Sequence, residues 1–331
     1  MLSRLIYTNK TELFKELDPL SEGEFYAVAD LKIKNHLPKW IQFSPQVFWV
    51  NIPEEEKTLE TYGLAADFFL RGGIHRASTL YAFGGGATTD LAGFIAATVL
   101  RGIKWVAIPT TLLAMVDGSL GGKVAVNTPA GKNLLGAFHS PEKIYLCADF
   151  LTTLDVLNLN SGKGEILKYG FLSPEIHAHI MKKESIEKIA VACANFKMGM
   201  VGRDFREEGE RINLNLGHTL GHAFEYALKI PHGIAVVMGM KYLFEAMGKN
   251  EALLELKGMM TALSFPQQKI EISHYPDFDK HKFYEYLQQD KKKQRDKIRL
   301  VLADSPGRIS ISEMTMNELK SKIITHAEFK D

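Results

Sequence analysis

STLYAFGGGATTD (78–90) is the stretch that decides the class of fold. Its apolar beginning is typical of a buried β-strand, and it runs straight into Gly84, Gly85 and Gly86. DLAGFIAATVLRG (90–102) follows with apolar residues at helical spacing. A glycine turn between a strand and a helix lets backbone N–H groups approach a phosphate, and the helix dipole favours the negative charge. The stretch therefore predicts a strand–turn–helix unit, whose turn is either a phosphate-binding loop or a plain tight turn.

Further apolar runs extend this unit into a sheet. FYAVAD (25–30), QVFWVNI (46–52), KWVAIPT (104–110) and KIYLCAD (143–149) have the composition of strands. ETYGLAADFFLRGG (60–73) has a helical pattern and precedes the strand at 78. Strands that alternate with helices predict a mostly parallel sheet with helices on both faces.

The second half of the chain has a different pattern. From about residue 152, segments such as GEILKYGFL (164–172), GHTLGHAFEYAL (217–228) and AVVMGMKYLFEAMGK (235–249) repeat at helical period, and a strong strand run appears only at IRLVLA (298–303). A chain of 331 residues exceeds the size at which a single core keeps growing. We therefore predict an α/β domain over 1–152 and a mostly helical domain over 153–331.

Composition limits the classes of partner. The net charge is +1, so bulk charge favours neither nucleic acid nor a membrane surface. The longest low-polarity stretch, 105–116, is shorter than the ~20 apolar residues that a bilayer span needs. Cys147 and Cys193 form no CxxC pair, which favours reduced thiols. We expect a cytoplasmic protein that binds neither nucleic acid nor membrane.

Three histidines lie close together in the second half. His218 and His222 are four residues apart, so a helix would put them on one face, and His232 follows Pro231. A catalytic zinc site usually has three protein ligands, and a carboxylate is the other ligand type, for which Glu165 is a candidate. The residues alone leave open whether the histidines bind a metal or are structural.

Two Gly-Lys motifs and a basic run offer positive charge for anions. GGK (121–123) and GKN (131–133) suit anionic oxygens, but solvated turns would have the same sequence. Lys168 lies one turn beyond Glu165, where a surface ion pair is the simple alternative. The run DKKK (290–293) would ordinarily be a solvated face.

Taken in order and spacing, these blocks resemble the 3-dehydroquinate synthase family. The resemblance runs from about Asp30 to about Leu302. The blocks that carry it are GGGATTDLAGFIAAT (84–98), PTTLLAMVDGSLGGKVAVNTPAGKNLLGAF (109–138), SGKGEILKYG (161–170), GERINLNLGHTLGHAFE (209–225) and PHGIAVVMGM (231–240). The resemblance implies a Rossmann-like NAD-binding domain, then a helical metal- and substrate-binding domain, with the active site between them.

The resemblance also implies roles for individual residues. The metal ligands, for zinc with cobalt as an alternative, match Glu165, His218 and His232. The NAD contacts match Asp30, Glu54, Lys57, Gly85, Gly86, Asp90, Thr110, Thr111, Lys132, Phe150 and Thr153. The substrate pocket matches Arg101, Lys123, Asn133, Lys197, Arg211, Asn215 and Lys291. The expected catalytic residues are His222, Lys168 and Asp117.

The reaction implied is the conversion of 3-deoxy-arabino-heptulosonate 7-phosphate to 3-dehydroquinate and phosphate, a step toward aromatic amino acids. Lys197 and Arg211 resemble the pair that holds the substrate carboxylate, and Arg101 resembles a residue that reaches the neighbouring subunit, which implies a homodimer. The alternatives are a cyclase for another sugar phosphate, a metal-dependent polyol or glycerol-phosphate dehydrogenase, and a non-catalytic nucleotide-binding descendant.

Several positions depart from the family pattern. Thr88 and Thr89 replace an apolar residue and a glycine, and we expect them to crowd the approach of a pyrophosphate. Ile234 stands where the family has a glutamate, so we expect His232 to lack a carboxylate partner, which weakens metal binding. The other departures are Met115, Gly118, Val124, Asn158 and Asp296.

Overall fold

The computed structural model of the chain describes residues 3–51, 54–291 and 297–323, without the side chains of residues 55 and 289–291. The chain divides into two compact units, Met1–Asp155 with Ala194–Arg206, and Val156–Cys193 with Glu207–Asp331. The sequence predicted one boundary at 152. The division falls three residues later, and the segment 194–206 returns to the first unit, so no single boundary separates the two.

A parallel sheet forms the centre of the first unit. The strands of this unit are β1 (Arg4–Thr8), β2 (Tyr26–Asp30), β3 (Val47–Val50), β4 (Thr79–Gly84), β5 (Lys104–Pro109), β6 (Lys123–Thr128), β7 (Gly131–Phe138) and β8 (Lys143–Cys147). Six of them form a sheet in the order β1-β8-β5-β4-β2-β3, and every neighbouring pair is parallel. The prediction of a mostly parallel sheet is confirmed, since five of these strands match the predicted runs.

Of the α-helices described before residue 156, those over 59–71 and 86–98 match the predicted segments, and the other two were not predicted. These helices are α1 (Lys10–Leu17), α2 (Lys39–Gln42), α3 (Leu59–Arg71) and α4 (Gly86–Thr98). Thr58 caps α3, where its hydroxyl accepts a hydrogen bond from the N–H of Thr61 at 3.3 Å. Because α4 is apolar nearly all round, it is buried along most of its length. Val124, one of the departures, packs its methyl group against Gly93 of α4, so it belongs to the core.

The two Gly-Lys motifs begin the two strands of a hairpin. β6 and β7 pair antiparallel as a separate two-stranded sheet. Sequence reasoning missed both strands. β7 is exposed or half-exposed along its length and shows no alternation of buried and exposed residues, whereas β6 has a short buried apolar run that was interpreted only as part of the Gly-Lys loops. β1 was also missed, since it is a half-exposed edge strand.

Helices dominate the second unit, as predicted. The helices from residue 156 onward are α5 (Val156–Leu172), α6 (Pro174–Met181), α7 (Ile186–Arg203), α8 (His218–Leu228), α9 (His232–Ala246), α10 (Asn250–Ala262), α11 (Lys280–Lys291) and α12 (Met316–Ile323). An antiparallel hairpin, β9 (Lys297–Ser305) and β10 (Arg308–Thr315), precedes α12. In the described part of the chain, no helix has both the length and the apolar character needed to cross a membrane.

Glycines bring the backbones of α5, α8 and α9 into direct contact. A Cβ atom on Gly164 of α5 would overlap the carbonyl group of Gly233, and one on Gly233 would overlap the carbonyl oxygen of Ser161. A Cβ atom on Gly239 of α9 would likewise overlap the carbonyl oxygen of Gly217. Gly164, Gly217 and Gly233 each lie beside a predicted metal ligand, so these contacts fix the positions of the ligands.

Replacing Gly233 with alanine tests this packing. We expect Gly233→Ala to lower the free energy of unfolding by about 1–3 kcal/mol, because the added methyl group cannot fit without moving α5 and α9 apart. Gly258→Ala in α10 is the matched control, since its methyl group would lie 3.6 Å from the terminal methyl of Met181. Urea unfolding followed by circular dichroism measures both, and equal losses of stability would contradict the proposed contact.

Candidate functional site

Glu165 is the centre of a cluster of potential metal ligands in the second unit. Its side chain is fully buried, and its Oε1 lies 3.2 Å from Nε2 of His232 and 3.6 Å from Nε2 of His218. Ligands that lie 2.0–2.1 Å from a tetrahedral Zn²⁺ are about 3.3–3.4 Å from one another. The three predicted ligands therefore have donor types that suit a zinc or cobalt ion, and Glu165 lies at a suitable distance from both histidines.

Both histidines are oriented with Nε2 toward Glu165. Nδ1 of His218 lies 3.1 Å from the carbonyl oxygen of Leu216, and Nδ1 of His232 lies 2.8 Å from Oε2 of Glu225. An Nδ1–H that donates to these oxygens leaves the Nε2 lone pair free for a metal. A metal-binding histidine ordinarily donates a hydrogen bond from the N–H of its second ring nitrogen in this way.

Glu225 corrects the expectation that His232 lacks a carboxylate partner. Ile234 cannot play that role, because its side chain is apolar and 1% exposed. The carboxylate comes instead from α8, where Glu225 lies seven residues after His218. Sequence reasoning missed it, although residues seven apart on a helix share one face, which was the available signal.

His222 lies in the same cluster. One ligand atom from each of His218, His222 and His232 can be chosen so that all three lie within 4.8 Å of one another. The rings of His222 and His218 are 5.2 Å apart, and those of His222 and His232 are 5.6 Å apart. The position suits either a fourth ligand or a group that moves a proton beside the metal, and its role in proton transfer stays a prediction.

Lys168 and Glu165 form a buried ion pair, not the surface pair that was the simple alternative. Their side chains are 1% and 0% exposed, and the ammonium group also lies 4.7 Å from the centre of the Tyr169 ring. Removing one member of such a pair leaves an uncompensated charge in the core, which costs several kcal/mol. Lys168 therefore holds a fixed positive charge beside the candidate metal site.

The surroundings give the two histidines opposite pKa shifts. Burial, with the charge of Lys168 acting in the same direction, lowers the pKa of His218 to about 3, so its imidazole is neutral. Burial also lowers the pKa of His232, but the carboxylates of Glu165 and Glu225 outweigh it and raise this pKa to about 10. A bound divalent cation would replace the proton on His232, since histidine binds metals in its neutral form.

Most of the predicted cofactor residues of the first unit lie at the carboxyl ends of the strands of the sheet. The chain leaves β2 toward β3 on one side and leaves β4 toward β5 on the other, so the connections diverge between β2 and β4. Ligands of open α/β sheets bind at such a point, outside the carboxyl ends of the strands. Asp30 ends β2, and Gly85 and Gly86 follow β4. The other predicted cofactor residues that follow strand ends are Glu54 and Lys57 after β3, Thr110 and Thr111 after β5, and Phe150 and Thr153 after β8.

The glycine turn after β4 is open on one side. Gly85 caps the N-terminus of α4, and a Cβ atom on Gly86 would meet no atom within 4 Å. Thr88 and Thr89 are 2% and 1% exposed, and the Thr89 hydroxyl donates to the carbonyl oxygens of Gly85 and Gly86 at 3.1 and 3.0 Å. The threonines pack inward, so the expectation that they crowd the space at Gly86 is wrong.

Lys57 connects three of the predicted residues. Its side chain is 1% exposed, and its ammonium group lies 2.6 Å from the carboxylate of Asp90, 2.8 Å from Oδ1 of Asn133 and 2.9 Å from the carboxylate of Glu54. Burial lowers the pKa of Lys57, but the two carboxylates outweigh it and raise the value. Burial raises the pKa of Asp90 to about 6, against the effect of Lys57.

The remaining predicted residues are more dispersed. Lys197 of α7 lies 2.9 Å from the carboxylate of Asp117 and donates to its carbonyl oxygen at 2.8 Å. Lys123 and Lys132 are exposed on the hairpin. Arg101 is exposed and has a left-handed backbone with φ of 69°. These residues lie in the first unit, and their roles stay predictions.

In the second unit, two predicted substrate residues belong to one short 3₁₀ helix, Glu210–Asn215. Arg211 is 2% exposed, and the amide of Asn215 donates to Glu207 at 2.8 Å. Lys291 ends α11, but its side chain lies outside the described residues, as does Asp296. The prediction that Lys197 and Arg211 hold one carboxylate remains untested.

Two family models match the chain. One, described as 3-dehydroquinate synthase N-terminal, matches residues 47–161, and another, described as 3-dehydroquinate synthase C-terminal, matches residues 162–293. A curated 3-dehydroquinate synthase from Rippkaea orientalis is 37% identical over 343 residues, which cover 96% of this chain and 93% of the relative.

Solved structures share the fold. A 2-epi-5-epi-valiolone synthase from Streptomyces hygroscopicus, with NAD⁺ and Zn²⁺ bound, has a TM-score of 0.83 and 22% identity, covering 99% of this chain and 97% of its own. A 2-deoxy-scyllo-inosose synthase complexed with carbaglucose-6-phosphate, NAD⁺ and Co²⁺ has a TM-score of 0.78 and 23% identity, covering 96% and 95%. At these identities the likeness is one of fold.

The contact between Glu225 and His232 predicts a measurable change in metal affinity. We expect Glu225→Ala to raise the Kd for Zn²⁺ by about 10–100-fold, because His232 loses the acceptor that orients its ring. Competition with a chromogenic chelator measures the affinity. Glu255→Ala is the matched control, since Glu255 accepts from His177 at 2.9 Å in a similar pair and should leave the Kd unchanged. An unaltered Kd in Glu225→Ala would disprove the role of Glu225.

Removal of single histidines separates metal ligands from their neighbours. We expect His218→Ala and His232→Ala to lose the bound metal, because each provides an Nε2 atom facing Glu165. Dialysis followed by elemental analysis gives the metal content. His222→Ala should retain the metal if His222 acts on protons, and His177→Ala is the control outside the cluster. Full zinc in either of the first two variants would show the ligand assignment to be wrong, and loss of zinc in His222→Ala would make His222 a ligand.

Proposed function

The chain belongs to the 3-dehydroquinate synthase family, and we propose that it converts 3-deoxy-arabino-heptulosonate 7-phosphate to 3-dehydroquinate and phosphate. It is then a phosphorus–oxygen lyase of the shikimate pathway, which leads to the aromatic amino acids. The observation that carries the proposal is the cluster of the buried Glu165 with the partly exposed His218 and His232, whose donors fit a divalent metal. NAD⁺ and either zinc or cobalt are the cofactors that we propose.

The two cofactors provide complementary chemistry. When bound, NAD⁺ supplies a hydride acceptor that is regenerated within the cycle, and the metal lowers the pKa of the ring hydroxyl to be oxidised. Two solved proteins of the same fold support this pair, since one holds NAD⁺ with Zn²⁺ and the other NAD⁺ with Co²⁺. The carboxyl edge of the sheet, with the open turn at Gly86, is the proposed place of NAD⁺.

The residues of the chain then have separate tasks. Glu165, His218 and His232 hold the metal, and Glu225 orients His232. Lys168 provides a fixed positive charge beside them, which favours an oxyanion over a neutral hydroxyl. We assign proton transfer to His222, because its imidazole lies in the same cluster.

Substrate binding needs positive charge, since the substrate is a keto acid phosphate with about three negative charges. Lys197 and Arg211 are proposed to hold the carboxylate. The residues proposed to hold the phosphate are Lys123, Asn133, Asn215, His222 and Lys291, and Asp117 fixes the ammonium group of Lys197. A homodimer with Arg101 at the neighbouring pocket, and a cytoplasmic location, remain predictions that size-exclusion chromatography and cell fractionation can test.

The three alternatives differ in their testable consequences. A cyclase for another sugar phosphate would use the same metal site but would not need a carboxylate on its substrate. A polyol or glycerol-phosphate dehydrogenase would release NADH, whereas the proposed enzyme returns the hydride. A non-catalytic descendant is less well supported than the sequence suggested, because Thr88 and Thr89 leave the space at Gly86 open and Glu225 provides the carboxylate that Ile234 does not.

Turnover of the proposed substrate is the direct test. We expect the zinc-loaded protein, given 3-deoxy-arabino-heptulosonate 7-phosphate and NAD⁺, to release phosphate without net absorbance at the NADH band, because the cofactor is regenerated in each cycle. A coupled phosphate assay and a spectrophotometer follow both signals. Glu165→Gln should abolish phosphate release, and the exposed Glu251→Gln should not.

Each other outcome rejects a different part of the proposal. Steady accumulation of NADH would favour the dehydrogenase. If metal and NAD⁺ are bound but phosphate is not released, the substrate is another sugar phosphate. If the protein binds no NAD⁺, the non-catalytic alternative is favoured.

A further inference from the structure

Asn127 is a buried polar residue that the proposed reaction does not use. It lies near the end of β6 and is 8% exposed. Its backbone N–H donates to the carbonyl oxygen of Lys57 at 2.6 Å, and Asn127 forms an isolated parallel bridge with Thr58. The hairpin of β6 and β7 is thereby joined to the segment that carries Glu54 and Lys57.

The side-chain amide of Asn127 makes three further hydrogen bonds, one of which is a long one of 3.4 Å from Nδ2 to the carboxylate of Glu54. Nδ2 donates to the carbonyl oxygen of Glu54 at 2.5 Å, and Oδ1 accepts from the backbone N–H of Asn133 at 3.0 Å. One partner is an acceptor and the other is a donor, so the orientation of the amide is determined. Asn133 has a left-handed backbone with φ of 56°, an uncommon conformation that neighbouring contacts must hold.

These bonds place two acceptors of the Lys57 ammonium group. Glu54 and Asn133 each contact this group through a side chain, at 2.9 and 2.8 Å, while Asn127 holds the backbone of both. Asp90, the third partner, lies in the first turns of α4, four residues after Gly86. The Lys57 cluster, defined as Glu54, Lys57, Asp90 and Asn133, therefore depends on Asn127 for the relative position of two of its segments, the one that carries Glu54 and Lys57 and the one that carries Asn133.

We propose that Asn127 is a positioning residue for NAD⁺ binding, which acts through Lys57 and Asn133 by fixing both segments with one side-chain amide. The inference rests on the proposed function, in which Glu54, Lys57 and Asp90 of this cluster are the expected NAD⁺ contacts and Asn133 is a substrate residue that also holds Lys57. The amide is specifically required, because only an amide offers a donor to Glu54 and an acceptor to Asn133 in this geometry. An aspartate in its place could accept but not donate, and its charge would lie beside Glu54.

Calorimetric titration with NAD⁺ tests the proposal without relying on activity. We expect Asn127→Ala to raise the Kd for NAD⁺ by about 5–20-fold, because the loss of the side-chain hydrogen bonds to Glu54 and Asn133 loosens the Lys57 cluster. Asn127→Asp should bind at least as weakly. Thr128→Val is the matched control on the same strand, since it removes only a long hydrogen bond of 3.4 Å to Gly131, and its Kd should be that of the unmodified protein.

A double-mutant cycle then shows the route by which Asn127 acts. Lys57→Ala should weaken NAD⁺ binding, and adding Asn127→Ala to it should change the Kd by less than about twofold, because the group that Asn127 positions is already absent. Fully additive effects would overturn the inference, since Asn127 would then act by another route. The same conclusion would follow from an unchanged Kd in Asn127→Ala.

Two further outcomes distinguish other causes. If Asn127→Ala lowers the calorimetric stoichiometry but leaves the Kd unchanged, the residue only stabilises the fold, and the positioning role is rejected. If the unmodified protein binds no NAD⁺, both the proposed function and this inference are rejected. Binding by the unmodified protein with an unchanged Kd in every Asn127 variant rejects the inference alone.

Discussion

The burial of the Glu165 carboxylate is the constraint on which the second unit depends. A carboxylate removed from water is unfavourable unless opposite charge or hydrogen bonds compensate it. Lys168 provides one positive charge, and His232 provides a nitrogen at 3.2 Å. The close backbone contacts at Gly164 and Gly233 bring these groups near enough to compensate the charge of Glu165. The geometry of the site therefore depends on the packing of the backbone.

The first unit also contains a buried charge held by its partners, but there the buried group is positive. The ammonium group of Lys57 is buried, and two carboxylates and an amide oxygen surround it within 2.9 Å. A buried charge of this kind fixes its neighbours, because each partner that moves away leaves the charge uncompensated. Residues from the segment after β3, from α4 and from β7 are held together in this way, beside the glycine turn.

Much of the fold was predictable because its signals are local. Five strands of the sheet are apolar runs bounded by glycine or polar residues, and α8 and α9 show clear helical period. β7 was missed because an exposed strand carries no apolar pattern, and β6 was missed because its buried apolar run is only three residues long. The candidate ligands Glu165, His218 and His232 came from their types, their spacing and the family resemblance, whereas Glu225 did not, since the sequence does not show which carboxylate faces which imidazole.

The sequence by itself determined the parallel sheet, the helical second half and the identity of most candidate site residues. These properties depend on composition and on periods of two or 3.6 residues, which are readable within one segment. Only the tertiary structure decided the partners: Glu225 for His232, Asn127 for Glu54 and Asn133, and an inward packing for Thr88 and Thr89. A hydrogen bond between distant segments depends on their separation to within a few tenths of an ångström, and only packing of the whole unit sets that distance.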